Sequence, residues 1–337
     1  FSNRAAMTDS LSSQLALAIL IASMSMTACS ERAPAPEAQE TPSQHEAPPA
    51  PQDPRERYLR LSEIPDGAGS GAYPAIKYED PSLPDHVVYR PEDLSALDAP
   101  MPLYVWGNGG CTRDGASARL HLLEVASHGY LVIASGTILN GPGVEIPDPL
   151  PDYANGTAPG QMIEAIDWAA AENDRAGSDL EGRIAAGLVA VSGHSCGGLQ
   201  AILAAEDSRV DTAVIMNSGI YNDEGPGRSG MAIKKAHLET LHAPMLYILG
   251  GPSDMAYPNG MDDFRRLNVP VAAANLDVGH GGTFWEPDGG KAAAMTVHWL
   301  NWRLKDDEAA ANMFLGGECG YCTDPDWTLE RRNLSAD

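Results

Sequence analysis

The stretch Leu188–Ile202, "LVAVSGHSCGGLQAI", decides the reading of this chain. Apolar residues run up to Gly193, a serine stands between small residues, and an Ala/Leu-rich stretch follows. The pattern predicts a buried strand, a tight turn carrying Ser195 and a helix from about Gly197 to Ala205. In such a turn side chains at the glycine positions would collide, and the serine oxygen is pushed out beyond the end of the sheet. Gly-x-Ser-x-Gly alone is a weak signal, and its context carries the reading. An ordinary strand–helix turn is the bland alternative.

A serine hydroxyl is a poor nucleophile until a base takes its proton. The chain has nine histidines. His45 lies in a proline-rich segment, His121 and His298 fall inside helical patterns, and His128 ends a helix and reads as a cap. His194 cannot bend back onto its neighbour. His280 stands in the glycine-flanked loop "DVGHGG" just beyond the last strand of the series, and is the expected general base. The acid should follow an intervening strand, and "LYILGGPSDMAYP" places Asp254 there. Asp223 or Glu224 is the runner-up, and Asp277 is too close to His280 along the chain. The order Ser, Asp, His is that of α/β-hydrolases rather than of the chymotrypsin or subtilisin folds.

Working outward, strands are expected at 86–91, 102–108, 130–136, 212–219, 244–251 and 271–279, besides the one before Ser195. Helices are expected at 116–129, 160–173 and 291–304. Alternating strands and helices, with near-continuously apolar strands, argue an α/β chain with a mostly parallel sheet covered on both faces. Sites in such sheets lie beyond the carboxyl ends of the strands.

From about Leu103 to Lys305 the sequence resembles an α/β-hydrolase, nearest to the branch of platelet-activating-factor acetylhydrolases, chlorophyllases and cutinase-like polyester hydrolases. "YVWGNGGC" stands at the oxyanion loop, with Asn108 in place of the usual His. "GHSCGG" stands at the elbow, "GGPSDMAYP" at the acid loop and "GHGGTFWEP" at the histidine loop. The resemblance implies a serine carboxylic-ester hydrolase with Ser195, His280 and Asp254 as its triad. The oxyanion hole would comprise the backbone N–H of Cys196 and that of Gly110, with Gly109 or Cys111 as alternatives. Two donors aimed at one oxygen must be close neighbours, which brings Cys111 and Cys196 within disulfide range. Cys319 and Cys322, in "CGYC", are expected to form a short-loop disulfide. They do not read as a redox motif, because no helix is expected to open there. Trp106, Tyr153, Trp285 and Tyr257 are expected on the pocket rim, with Trp285 the best substrate contact. The short insert after the strand at 212–219 predicts an open cleft.

The 22 Lys and Arg against 46 Asp and Glu leave a net charge of −24. That excludes a general nucleic-acid binder, which needs a basic face, and disfavours anionic substrates at long range. Residues 1–28 have the layout of a secretory signal, and "MTAC" resembles a lipobox that would lipidate Cys29 and provide a lipid anchor. Residues 29–57, rich in Pro, Ala and Glu, read as a disordered tether. The hydrolase domain is expected over 58–337, with a C-terminal extension from about 306. The chain would be exported, as an envelope lipoprotein or secreted, and monomeric, acting on a small or polymeric ester with no metal or cofactor. Acyl transfer or amide hydrolysis at the same site, and a non-catalytic surface lipoprotein, are the alternatives.

Overall fold

The structure is a computed structural model that describes residues 53–151, 156–223 and 231–335. The expected signal, the lipidation at Cys29, Tyr153 and Glu224 lie outside the described residues, as does the tether except for its last five positions. Within residues 51–337, which form one compact unit, a nine-stranded sheet runs in the order β1-β2-β4-β3-β5-β6-β7-β8-β9. The strands are β1 (Ala75–Tyr78), β2 (His86–Pro91), β3 (Met101–Gly107), β4 (Leu131–Ser135), β5 (Ile184–His194), β6 (Thr212–Met216), β7 (Met245–Leu249), β8 (Val271–Asn275) and β9 (Thr328–Arg332). Strands β3 to β8 are parallel, and β1, β2 and β9 pair antiparallel at the two edges. This is an α/β architecture with a mostly parallel sheet.

Helices α3 (Pro159–Asp174), α4 (Cys196–Ala204) and α5 (Tyr257–Arg266) bury one face of the sheet, around Ile166, Leu199, Ile202 and Phe264. Helices α2 (Arg119–Ser127) and α6 (Gly290–Lys305) bury the other, around Leu122, Trp299 and Leu300. Parallel strands covered on both faces need apolar side chains in both directions. Accordingly every residue of β3, β4, β6, β7 and β8 is buried.

Three features depart from the sequence reading. The tether does not reach residue 57, because helix α1 (Pro54–Glu63) already begins at Pro54. Asp53 caps it by accepting from the backbone N–H of Arg55 at 2.9 Å, and Pro54 takes the first helical position, where a missing N–H costs nothing. The C-terminal extension adds β9 to the sheet edge, paired from Val271↔Arg332 to Asn275↔Thr328. The "CGYC" stretch does open a helix of one turn, Gly320–Thr323, with Cys319 as its cap.

Candidate active site

The turn after β5 is built by contacts that only glycine allows. A Cβ on Gly193 would lie 2.3 Å from the Gly197 carbonyl oxygen, and one on Gly197 would lie 2.0 Å from that of Gly107. Ser195 itself sits at φ 53°, ψ −118°. A non-glycine residue holds such a backbone only when its surroundings over-determine it. Here the Ser195 N–H donates to Met216 O at 3.0 Å, and Ser218 Oγ–H donates to Ser195 O at 2.6 Å.

Three chain segments converge on that serine. His280 Nε2 lies 2.9 Å from Ser195 Oγ, and His280 Nδ1 lies 2.6 Å from Asp254 Oδ1. A carboxylate at Nδ1 fixes the tautomer, so Nδ1–H donates to Asp254 and Nε2 is free to accept the serine proton. Asp254 is 1 % exposed. Burial alone would raise its carboxyl pKa, but bonds from His280 and from the backbone N–H groups of Ala256 and Gly250 outweigh burial and hold it below the usual value. Asp277 instead accepts from Ser253 Oγ at 3.0 Å.

The loop expected to supply an oxyanion donor follows β3. Gly110 is left-handed at φ 67° and Cys111 at φ 48°. The Cys111 N–H is taken by Asn108 O at 3.0 Å, so of the three expected donors on this loop Cys111 is already engaged. Asn108, fully buried, donates from Nδ2 to Thr112 O at 2.9 Å and to Ser135 O at 2.6 Å. It ties the loop to the end of β4. Cys111 and Cys196 form a disulfide with Cα atoms 5.2 Å apart, and Cys319 and Cys322 form a second one.

Two side chains that sequence reasoning passed over hold the triad loops. Asn217, at the end of β6, donates from Nδ2 to Asp254 Oδ2 and to Gly279 O, both at 3.0 Å. His194 Nε2 lies 2.8 Å from His280 O. Burial lowers the His194 pKa to about 4, so the neutral ring donates from Nε2 to that carbonyl and props the histidine loop. The signal for Asn217 was its place just past a strand end, on the side of the sheet where the site lies.

A pocket of about 490 Å³ opens over Ser195, lined by Cys196, Leu199, Tyr221, Met255 and His280. Asp223 also lines it. Of the expected rim aromatics, Trp285 lies in a second pocket beside it. Trp106 is a correction: it is fully buried, packed against His121 and Phe284, and contributes only the floor of that second pocket. Tyr257 begins α5 and packs against the core. Among the described residues no cluster of three or more His, Cys, Asp or Glu could hold a metal ion, and no helix is long and apolar enough to cross a membrane. Compared with models of known protein families and with curated proteins, the chain matches none.

Proposed function

We propose that this chain is an exported serine hydrolase of carboxylic esters, with an α/β-hydrolase fold. The observation that carries the reading is the unbroken line Ser195 Oγ–His280 Nε2 at 2.9 Å and His280 Nδ1–Asp254 Oδ1 at 2.6 Å. These groups come from loops after β5, β8 and β7, at the carboxyl ends where such sheets carry their sites.

In the proposed reaction His280 takes the Ser195 proton as Oγ attacks the ester carbonyl. The oxyanion is met by the Cys196 N–H, at the start of α4, and by a glycine N–H of the 109–110 pair. His280 then gives its proton to the leaving alcohol. Water, activated by the same ring, releases the acid from Ser195. Asp254 stays ionised and holds the imidazolium. The two disulfides fit an oxidising, extracytoplasmic location.

The test is hydrolysis of p-nitrophenyl esters from acetate to palmitate. The expected result is turnover well above the uncatalysed rate, with a preference for short chains that matches a 490 Å³ pocket. Absence of turnover on every ester in the series contradicts the reading.

A further inference from the structure

The second pocket, about 520 Å³, lies past Gly109 and Gly281 and does not include Ser195 among its walls. One wall is helix α1, through Arg57, Tyr58 and Leu61; the other is the segment after His280, through Phe284 and Trp285. Its size falls within the roughly 300–1,000 Å³ of small-molecule sites. Its lining is mostly apolar and aromatic, with Arg57, Thr112, Ser117 and His194 as its polar members.

Both walls are held by one buried cation. Arg119 is 0 % exposed. Its guanidinium donates to Leu61 O at 2.9 Å and to Ile64 O, where α1 ends, and to Asp66 and Asn140 at 2.6 Å each. The same group lies 5.5 Å from the centre of the Trp285 ring, within cation–π range. At the other side of α1, Tyr58 donates its hydroxyl to buried Asp114. Burying a guanidinium is costly unless every donor is met, and here the donors are met largely by the end of α1 and the turn after it. So α1 is a fixed wall.

We propose that α1 is a specificity-determining wall: the pocket it closes receives the leaving alcohol of the ester, and that alcohol is bulky and apolar or aromatic. This rests on the esterase reading above. The acyl group stays bonded to Ser195 Oγ through the second half-reaction, so it occupies the pocket that Ser195 lines. His280, beside Ser195, protonates the alcohol, which departs past the next residue, Gly281, into the pocket that Ser195 does not line. Gly281 lines that pocket, and a Cβ added there would meet nothing within 4 Å, so open space adjoins the residue after His280.

The test compares three esters on the full chain: ethyl acetate, 2-naphthylmethyl acetate with its bulky alcohol, and ethyl 2-naphthoate with its bulky acyl group. Leu61→Trp, which fills the pocket, should lower the kcat/KM ratio of the naphthylmethyl ester to ethyl acetate by about tenfold or more, within the range that one apolar misfit produces. The naphthoate ratio should not follow it. Leu61→Ala, which enlarges the pocket, should move the alcohol ratio upward and serves if the tryptophan variant fails to fold. An alcohol ratio unmoved by either variant, or a naphthoate ratio that falls in its place, overturns the inference while leaving the esterase reading intact. Binding of 2-naphthylmethanol to Ser195→Ala, read by calorimetry, separates the two. If no ester is hydrolysed, the esterase reading falls and takes the leaving-group role with it. If esters are hydrolysed but naphthylmethanol binds no more weakly when Leu61→Trp is added, only the α1 wall falls.

Discussion

Cys111 and Cys196 are 85 residues apart in the chain, yet their Cα atoms stand 5.2 Å apart and a disulfide joins them. Cys196 follows the serine, and Cys111 closes the loop that carries the second proposed oxyanion donor. The bond ties the two donors to one frame, so that neither must be ordered at the moment of reaction. Losing one whole donor costs about 10²–10³ in kcat. Cys111→Ser, which only loosens the loop, is expected to lower kcat by about ten- to a hundredfold with little change in KM. Closure of so long a loop also predicts a stability loss of up to roughly 4–5 kcal/mol in chain-entropy terms, read by urea unfolding. The double variant Cys319→Ser/Cys322→Ser, in a bridge that spans three positions, should leave kcat near that of the parent. Equal kcat losses in both variants contradict the assigned role.

Asn217 links the acid loop to the histidine loop, with 3.0 Å bonds to Asp254 and Gly279. Asn217→Leu leaves buried Asp254 and half-buried Gly279 O each short of a donor, at about 1–3 kcal/mol for the buried one. Part of that cost falls on the orientation of the Asp254–His280 pair. The expected result is a fall in kcat of about tenfold or more, which corresponds to about 1.4 kcal/mol at the transition state, with KM little altered. An unchanged kcat contradicts the linkage.

Burial holds His121 at a pKa of about 3, against about 6.5 for the ring in an unfolded chain. Between those pH values the unfolded state binds a proton that the native state refuses. Its contribution to stability is therefore complete above pH 6.5 and is lost as the pH falls toward 3. His121→Phe, placed between Trp106 and Phe284, removes this proton. The variant should lose stability less steeply on acidification than the parent, by up to about 1.4 kcal/mol per pH unit. Denaturant titrations at several pH values check this, and parallel slopes contradict it.

Arg119→Met would strip the end of α1 of its donors, leave Asp66 with Lys77 alone and take the guanidinium from Asn140. Removing one side of a buried charge network costs about 3–5 kcal/mol. The expected result is a lower urea midpoint together with proteolytic cleavage near residues 53–66, ahead of global unfolding. Resistance to cleavage equal to the parent's contradicts the anchoring.

The strands and the convergence at Ser195 were legible because the parallel core is uniformly apolar and because the elbow needs glycine at fixed positions. Ser195, His280 and Asp254 follow from chain order and from glycine-rich loops past strand ends. Helix α1 was missed because its polar residues continue the composition of the segment before it, although the Asp53-Pro54 pair is a helix-start signal. β9 was missed because "TLERR" is polar, as an edge strand permits. Asn217, His194 and Arg119 act through contacts with residues 21 or more positions away in the chain, and no local pattern encodes such contacts. Trp106 was placed on the rim by its neighbourhood in sequence, but strand alternation turns its ring into the core.

The most direct measurement of the central claim is labelling of the full chain by a fluorophosphonate, followed by peptide mass spectrometry. The account predicts one phosphonyl adduct, on Ser195, absent in Ser195→Ala and formed at least about a hundredfold more slowly in His280→Ala, in line with the 10²–10⁴ contributed by a general base. No adduct on the wild-type chain, or one on a residue other than Ser195, would contradict it.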